Sequence, residues 1–324
     1  MDLQTKPYHR SSPMSIDDSN KSDDFSNKSD DLGSDPITTK GGITVEYQMT
    51  NAYCQTDDFL KNNPKLAGWR NSNNDQPRFT DAEVITIALM QPIFGVSNLK
   101  RAYLLTKNFY AKAFPNLPSY AQFIARLHAL APFIGMLTLK IALKTVGEGN
   151  VYLMDSKPIP VCKPIRHARV RLLRDEGAYF GKNKGGWYFG FKLHLLAHSD
   201  GTILGAFLTP GNWDDRDVAA ALAESLAAES ILITDLGYRD SKELEPLLAE
   251  QYGVLLVTRS HAPLRLKALI SCVRERIETV FSCFWNRFMD LVFSRSFVGL
   301  WSVIRMKMLH YTLCKAGILP PLNP

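Results

Sequence analysis

The sequence predicts an α/β protein: a mixed sheet, three antiparallel strands followed by parallel ones, with helices on its faces and a small helical domain in front. Three observations lead there. From about Tyr47 to Val146, apolar residues recur at helical spacing behind capping signals. At Gly147–Asn150 the texture changes to runs rich in β-branched and aromatic residues. From Asp214 onward, short apolar strands alternate with helical stretches, the pattern of βα units.

Residues 1–40 hold eight Asp against five Lys and Arg, a net charge of −3, and repeat "SNKSDD" at 19–24 and 26–31. With almost nothing to bury, 1–46 reads as a disordered acidic tail. An over-called start is the alternative, since Met14 and Met49 lie downstream; composition does not separate the two. In "RFTDAEVITIALMQ", Thr80 and Glu83 form a capping-box signal ahead of an apolar run. "LKRAYLLTKNFYAKAF" follows, closed off by Pro115 and Pro118. "PSYAQFIARLHALAPFIGML" then places Tyr120, Phe123, Ile124, Leu127 and Leu130 on one helical face. Short helices with basic faces suit a helix-turn-helix-like DNA-binding module over 47–148; a plain helical support domain fits the spacing equally.

"VYLMDSKPIPV" is the first strand. "GWYFGFKLHLLAH" and "TILGAFLTP" follow, joined by the hairpin signal "SDG" at 199–201. An Ala-rich helix, "DDRDVAAALAESLAAE", leads to the strand "SILITDLGY", the helical "SKELEPLLAEQ" and the strand "YGVLLVTRS". A long helix over 264–288 comes last. Its apolar face takes Leu266, Leu269, Ile270, Val273, Ile277, Val280 and Phe284, and Arg274, Glu278, Phe281 and Trp285 form an adjoining stripe.

The bulk numbers narrow the function. The 324 residues are 45% hydrophobic and 22% charged, a globular composition. No uncharged apolar run approaches the roughly eighteen residues of a spanning helix, and the most apolar stretch, Ala129 to Leu139, is interrupted by Pro132 and Gly135. The first residues lack the apolar core of a signal peptide. Five scattered cysteines without a CxxC pair argue against a disulfide scaffold or zinc module and fit a reducing cytosol. The net charge of +6 becomes +9 once residues 1–40 are set aside, so the body favours a polyanion, most simply nucleic acid.

Two strands carry an acid where burial without a partner would be costly: Asp155 in the first, and Asp235 after Ile231, Leu232 and Ile233. Glu278 borders the buried face of the last helix, one turn after Arg274. Alone, each acid is ordinarily a cap, a turn residue or a surface pair. Together, three carboxylates from two strands and a helix suit hard divalent cations, and two such ions can serve phosphoryl transfer.

These stretches, "YLMDSKPIPV", "GWYFGFKLHLLAHSDGTI", "ITDLGYRD" and "RERIETVFSCF", resemble in this order the DDE transposases of bacterial insertion sequences. The resemblance covers about residues 80–315. It implies a ribonuclease-H-like catalytic core over 149–315 with a short tail at 316–324, and cut-and-paste movement of an element with terminal inverted repeats. It also implies two Mg²⁺ ions, with Mn²⁺ as a substitute, held by a catalytic and metal-binding triad of Asp155, Asp235 and Glu278. Arg274 would lie near the DNA backbone. Expected partners are double-stranded DNA, as element ends and target, and a second copy in a homodimer. No membrane is expected, and the location would be the cytoplasm, with the nucleoid. Where the related Tyr-Arg-Glu-Lys signature has its lysine, this chain has Trp285, with Arg287 close by; its tyrosine is also missing, since Cys272 and Val273 precede Arg274.

Further candidates surround the acids. Lys163, Arg166, Arg169, Arg171 and Arg174 crowd "CKPIRHARVRLLRDEG", with Lys182, Lys184 and Lys192 nearby and Lys157 beside Asp155; all could neutralise phosphates. A solvated loop is the plain alternative. In "GNWDDRD", Asp214 and Asp215 read as helix caps, Asp215 with a possible supporting role near the metals, and Trp213 as a packing residue or a base-stacking one. His194 and His198 share a strand face without a third zinc-like ligand. A metal-dependent nuclease and an inactive DNA-binding remnant are the rival functions.

Overall fold

The computed structural model describes residues 44–63, 77–96, 98–169, 171–238, 242–260, 262–288 and 294–320, without the side chains of 285–288. The expected acidic tail up to residue 43, and the side chains of Trp285 and Arg287, lie outside the described residues. Those described belong to Ile37–Pro324, one of two units into which the chain divides.

Four helices come first: α1 (Val45–Lys61), α2 (Asp81–Ile93), α3 (Leu99–Phe109) and α4 (Tyr120–Thr145). α1 starts inside the segment expected as tail, behind Thr44, whose hydroxyl accepts the Tyr47 N–H. The capping box of α2 forms as its sequence predicts: Thr80 Oγ1 accepts the Glu83 N–H at 3.2 Å and Glu83 Oε2 accepts the Thr80 N–H at 2.5 Å. Such a cap stabilises a helix start by about 1 kcal/mol. Pro132 and Gly135 do not interrupt α4. Proline forfeits one backbone hydrogen bond there, but Leu127, Leu130, Ile134 and Leu137 are buried on both sides of it and hold the helix in place. By length and composition α4 could cross a membrane.

The sheet has six strands: β1 (Val151–Cys162), β2 (Tyr179–Asn183), β3 (Gly186–His198), β4 (Ile203–Pro210), β5 (Ile231–Thr234) and β6 (Leu255–Thr258). The order is β2-β3-β1-β5-β6, with β4 also on β3. β1, β3 and β4 pair antiparallel, and β1, β5 and β6 parallel, as expected. β2, on no predicted element, forms a hairpin with β3 and lies on the same edge as β4.

Side-chain alternation splits the strands between two cores. Leu153, Leu195 and Ile233 face α7 (Leu264–Phe288) and α8 (Phe297–Lys315); their neighbours Met154, Leu196 and Leu232 face α5 (Asp215–Ala223) and α6 (Leu244–Tyr252). α5 ends at Ala223, short of the predicted 229. α7 buries Ile270, Ile277, Val280, Phe281 and Phe284, whereas Leu266 and Leu269, expected on its buried face, are exposed. Those two sit in the first turns, ahead of the stretch that meets the sheet.

α8 is the element the sequence pattern did not reveal. One side of it, with Leu300, Ile304, Met308 and Tyr311, joins the sheet core, and the other, with Met306, Leu309 and Leu313, joins the core of α1, α2 and α4. Buried all round, it carries no single apolar stripe. The helical core therefore draws residues from beyond 148, and α8 contributes to both cores. Leu319, in the expected C-terminal tail, is buried in the helical core as well.

Candidate active site

The last parallel pair between β1 and β5 is Met154↔Thr234, so Asp155 and Asp235 follow it on adjacent strands. β1 does not end there; it runs on beside β3 to Cys162. What ends is its pairing with β5, where the chain turns into the short 3₁₀ segment Leu236–Tyr238. That ending opens a cleft of about 560 Å³ beside Asp155, lined also by Asp235, Glu278, Arg274, Asp215, Lys157, Lys182, Lys184 and Lys192. Glu278 and Arg274 reach it from α7, which Ile277, Val280 and Phe284 anchor to the sheet.

Each acid sits in a different setting. Burial pushes the Asp155 carboxyl up to about 6, although the Ser156 N–H, 2.8 Å from its Oδ1, favours the charged form. Asp235 accepts the Leu236 N–H at 2.7 Å and is partly open to solvent. Glu278 is 61% exposed. Arg274 bridges the last two: Nη1 lies 3.5 Å from Asp235 and Nη2 3.6 Å from Glu278. These are ion-pair distances, longer than good hydrogen bonds.

Among the described residues, no three His, Cys, Asp or Glu side chains stand close enough together to hold a single ion. The donor set nonetheless fits Mg²⁺, which takes oxygen ligands and commonly needs only one or two carboxylates, completed by waters and substrate phosphates. The acids are oxygen donors lining one cleft, and the single guanidinium beside Asp235 and Glu278 offsets only part of their charge.

The remaining candidates separate into two groups. Lys157, Lys182 and Lys184 line the cleft, and burial lowers the Lys157 ammonium while its Nζ lies 5.9 Å from the centre of the Phe281 ring. Lys192 lines it too, but its ammonium is 2.6 Å from Asp215 Oδ1 and also donates to the Trp213 carbonyl, so it is not free for phosphate. Lys163, Arg166, Arg169, Arg171 and Arg174 are exposed on the loop after β1, and none lines the cleft.

Asp214, not Asp215, caps α5, accepting the Arg216 N–H at 3.0 Å. Asp215 instead turns into the cleft and accepts the Ser156 hydroxyl at 3.0 Å. Trp213 is 47% exposed rather than packed, beside a groove it shares with Trp187, Lys182 and Asp215. The backbones of β2 and the Trp213 loop touch closely there: a Cβ on Gly211 would sit 2.6 Å from the Tyr179 carbonyl oxygen. His194 and His198 are buried, the first paired with Thr209 Oγ1 at 2.9 Å and the second 3.2 Å from Asp200. Ser156 and Tyr238 also line the cleft and were not among the sequence candidates. Neither has a spacing signal; Ser156 has only its place after Asp155.

Residues 146–287 match the protein-family model described as "Transposase DDE domain". No curated protein matches the sequence. Among solved structures, the chain is similar to a piggyBac transposase in a synaptic complex with hairpin DNA, at 12% identity and a TM-score of 0.33. The similarity covers 69% of this chain and 51% of that one, so this chain spans about half of that protein's length. Asp155, Asp235, Glu278 and Arg274 all fall within 146–287, the segment that is similar to transposase DDE domains.

Proposed function

We propose that the chain is a DNA transposase that cuts at the ends of an insertion sequence and joins the freed 3′ ends to target DNA. The observation that carries this reading is that Asp155, Asp235 and Glu278, one acid from each of three elements of the DDE domain, line a single open cleft with Arg274 among them. Asp155 and Asp235 would jointly hold Mg²⁺ or Mn²⁺, and Glu278 would complete a second position. Bound there, a divalent cation would activate the attacking oxygen and stabilise the leaving one.

The chain's own residues do the rest. Arg274, which lies between Asp235 and Glu278, would pair with a phosphate of the cut strand. Lys157, Lys182 and Lys184 supply further charge along the backbone. The exposed cations of the 163–174 loop attract duplex DNA without reading sequence. The 47–148 helices are the candidate binder of the terminal inverted repeats. Two ends must be held together for joining, so the working form is a homodimer, acting at the nucleoid in the cytoplasm.

The test is a DNA substrate carrying a pre-cleaved element end. Joined products are expected with wild type, and Asp155→Asn should abolish both cleavage and joining while leaving DNA binding intact. Cleavage without any joining would mark a nuclease on the same fold. An Asp155→Asn protein that still cuts would overturn the site.

A further inference from the structure

We propose that Asp215 is a positioning residue for Asp155, acting through Ser156; the inference rests on the cleft being the transposase active site. Beyond Met154, β1 has lost β5 as a neighbour and is held along one edge only, by β3. The residue directly after Asp155 is tied down from elsewhere. Ser156 gives its backbone N–H to Asp155 Oδ1 at 2.8 Å, and its hydroxyl, on the opposite face of the strand, donates to Asp215 Oδ2 at 3.0 Å.

Asp215 is itself fixed from the far side. Its Oδ1 accepts the Lys192 ammonium at 2.6 Å, and Lys192 is anchored again on the Trp213 carbonyl. His194, directly across the ladder from Ser156, has its Nδ1 4.0 Å from the same oxygen. One carboxylate thus joins β1, β3 and the start of α5 at the residue whose N–H orients Asp155. Helix capping does not account for this, because Asp214 already fills that role.

The consequence is geometric. If Ser156 turned, its N–H would turn with it, and Asp155 would lose the donor that fixes its Oδ1. Metal ligands held this way are sensitive to their outer partners, whose loss weakens metal binding by about 10–100-fold.

The experiment measures Mn²⁺ binding to the DNA-free full chain by electron paramagnetic resonance, with thermal unfolding in parallel. Ser156→Ala and Asp215→Ala are each expected to weaken Mn²⁺ binding about tenfold. The double variant should be no worse than either single, because both cut the same tie. Ser156→Thr keeps the hydroxyl and should bind within about threefold of wild type. Wild-type affinity in Ser156→Ala, additive losses in the double variant, or a loss that threonine fails to restore would each overturn the proposal. Asp155→Asn separates the two levels: if it too binds Mn²⁺ normally, the active-site reading falls; if it loses Mn²⁺ while Ser156→Ala does not, only the role of Asp215 falls.

Discussion

The acid cleft and the basic loop after β1 are equally conspicuous in the sequence and opposite in kind in the fold. The cleft draws Asp155 from β1, Asp235 from the end of β5, and Glu278 and Arg274 from α7, and Arg274–Asp235 and Lys192–Asp215 pair charges from different elements. The loop holds five cations within twelve residues, all exposed, and the polar contacts of that basic stretch are local: Arg174 donates to the His167 carbonyl, and His167 Nδ1 pairs with the Pro164 carbonyl at 2.9 Å. Glu176, beyond it, reaches another element, accepting the Phe297 N–H. Charge in the loop is additive, since each cation acts through solvent on whatever phosphate comes near. In the cleft it is positional, because removing one group changes the setting of the others. Chemistry needs the second arrangement; attraction needs only the first.

The sharpest way to break this contrast is to neutralise each region in turn. Asp235→Asn or Glu278→Gln should lower DNA cleavage by on the order of 10³-fold with DNA affinity unchanged, measured as single-turnover rates at saturating DNA. Replacing Lys163, Arg166, Arg169, Arg171 and Arg174 together by Ala should do the reverse. The slope of log affinity against log salt should fall by up to about 4.5, from roughly 0.9 per lost phosphate contact, while the rate at saturating DNA stays put. A rate loss in the loop variant comparable to that of the acids would erase the distinction.

Packing offers a second comparison. Phe284 is fully buried where α7 meets the sheet, so Phe284→Ala should cost about 3–5 kcal/mol in denaturant unfolding and carry Glu278 out of register. Ile165, on the loop, is 89% exposed, and Ile165→Ala should change stability by less than about 0.5 kcal/mol.

A smaller effect comes from Asp155 itself. Burial raises its pKa from 3.8 to about 6, so in the metal-free protein its stabilising contribution is complete below pH 3.8 and is lost as pH rises through 6. Asp155→Asn should therefore stabilise the metal-free protein at pH 7.5 by roughly 2–3 kcal/mol, and wild-type Mn²⁺ binding should weaken as pH falls below about 6. Equal stability of the two proteins at pH 7.5 would contradict the burial of that charge.

Much of this was legible in one dimension. Runs of β-branched and aromatic residues and the hairpin signal marked β1, β3 and β4, the Thr80–Glu83 box marked α2, and acids interrupting strand-like runs marked Asp155 and Asp235, because these signals are local and depend on side-chain type and capping chemistry. α8 was not legible: a helix wedged between two cores buries residues on both sides and loses the one-sided stripe by which helices are recognised. Nor was the assignment of the cations. Lys192 and Lys184 look alike in sequence, yet one is committed to Asp215 and the other is not, a difference set by a helix start more than twenty residues further on.

By itself, then, the sequence determined which residues could do metal-assisted phosphoryl chemistry and in what order of strands and helices they would come. The tertiary structure alone decided which of them meet. It ended the β1–β5 ladder at Met154, opened the cleft beside Asp155, set Arg274 between Asp235 and Glu278, and turned Asp215 from a cap into a partner of Ser156. The physical reason is that a carboxylate's role is fixed by burial and by neighbours far away in the chain, and neither is written in its own stretch of sequence.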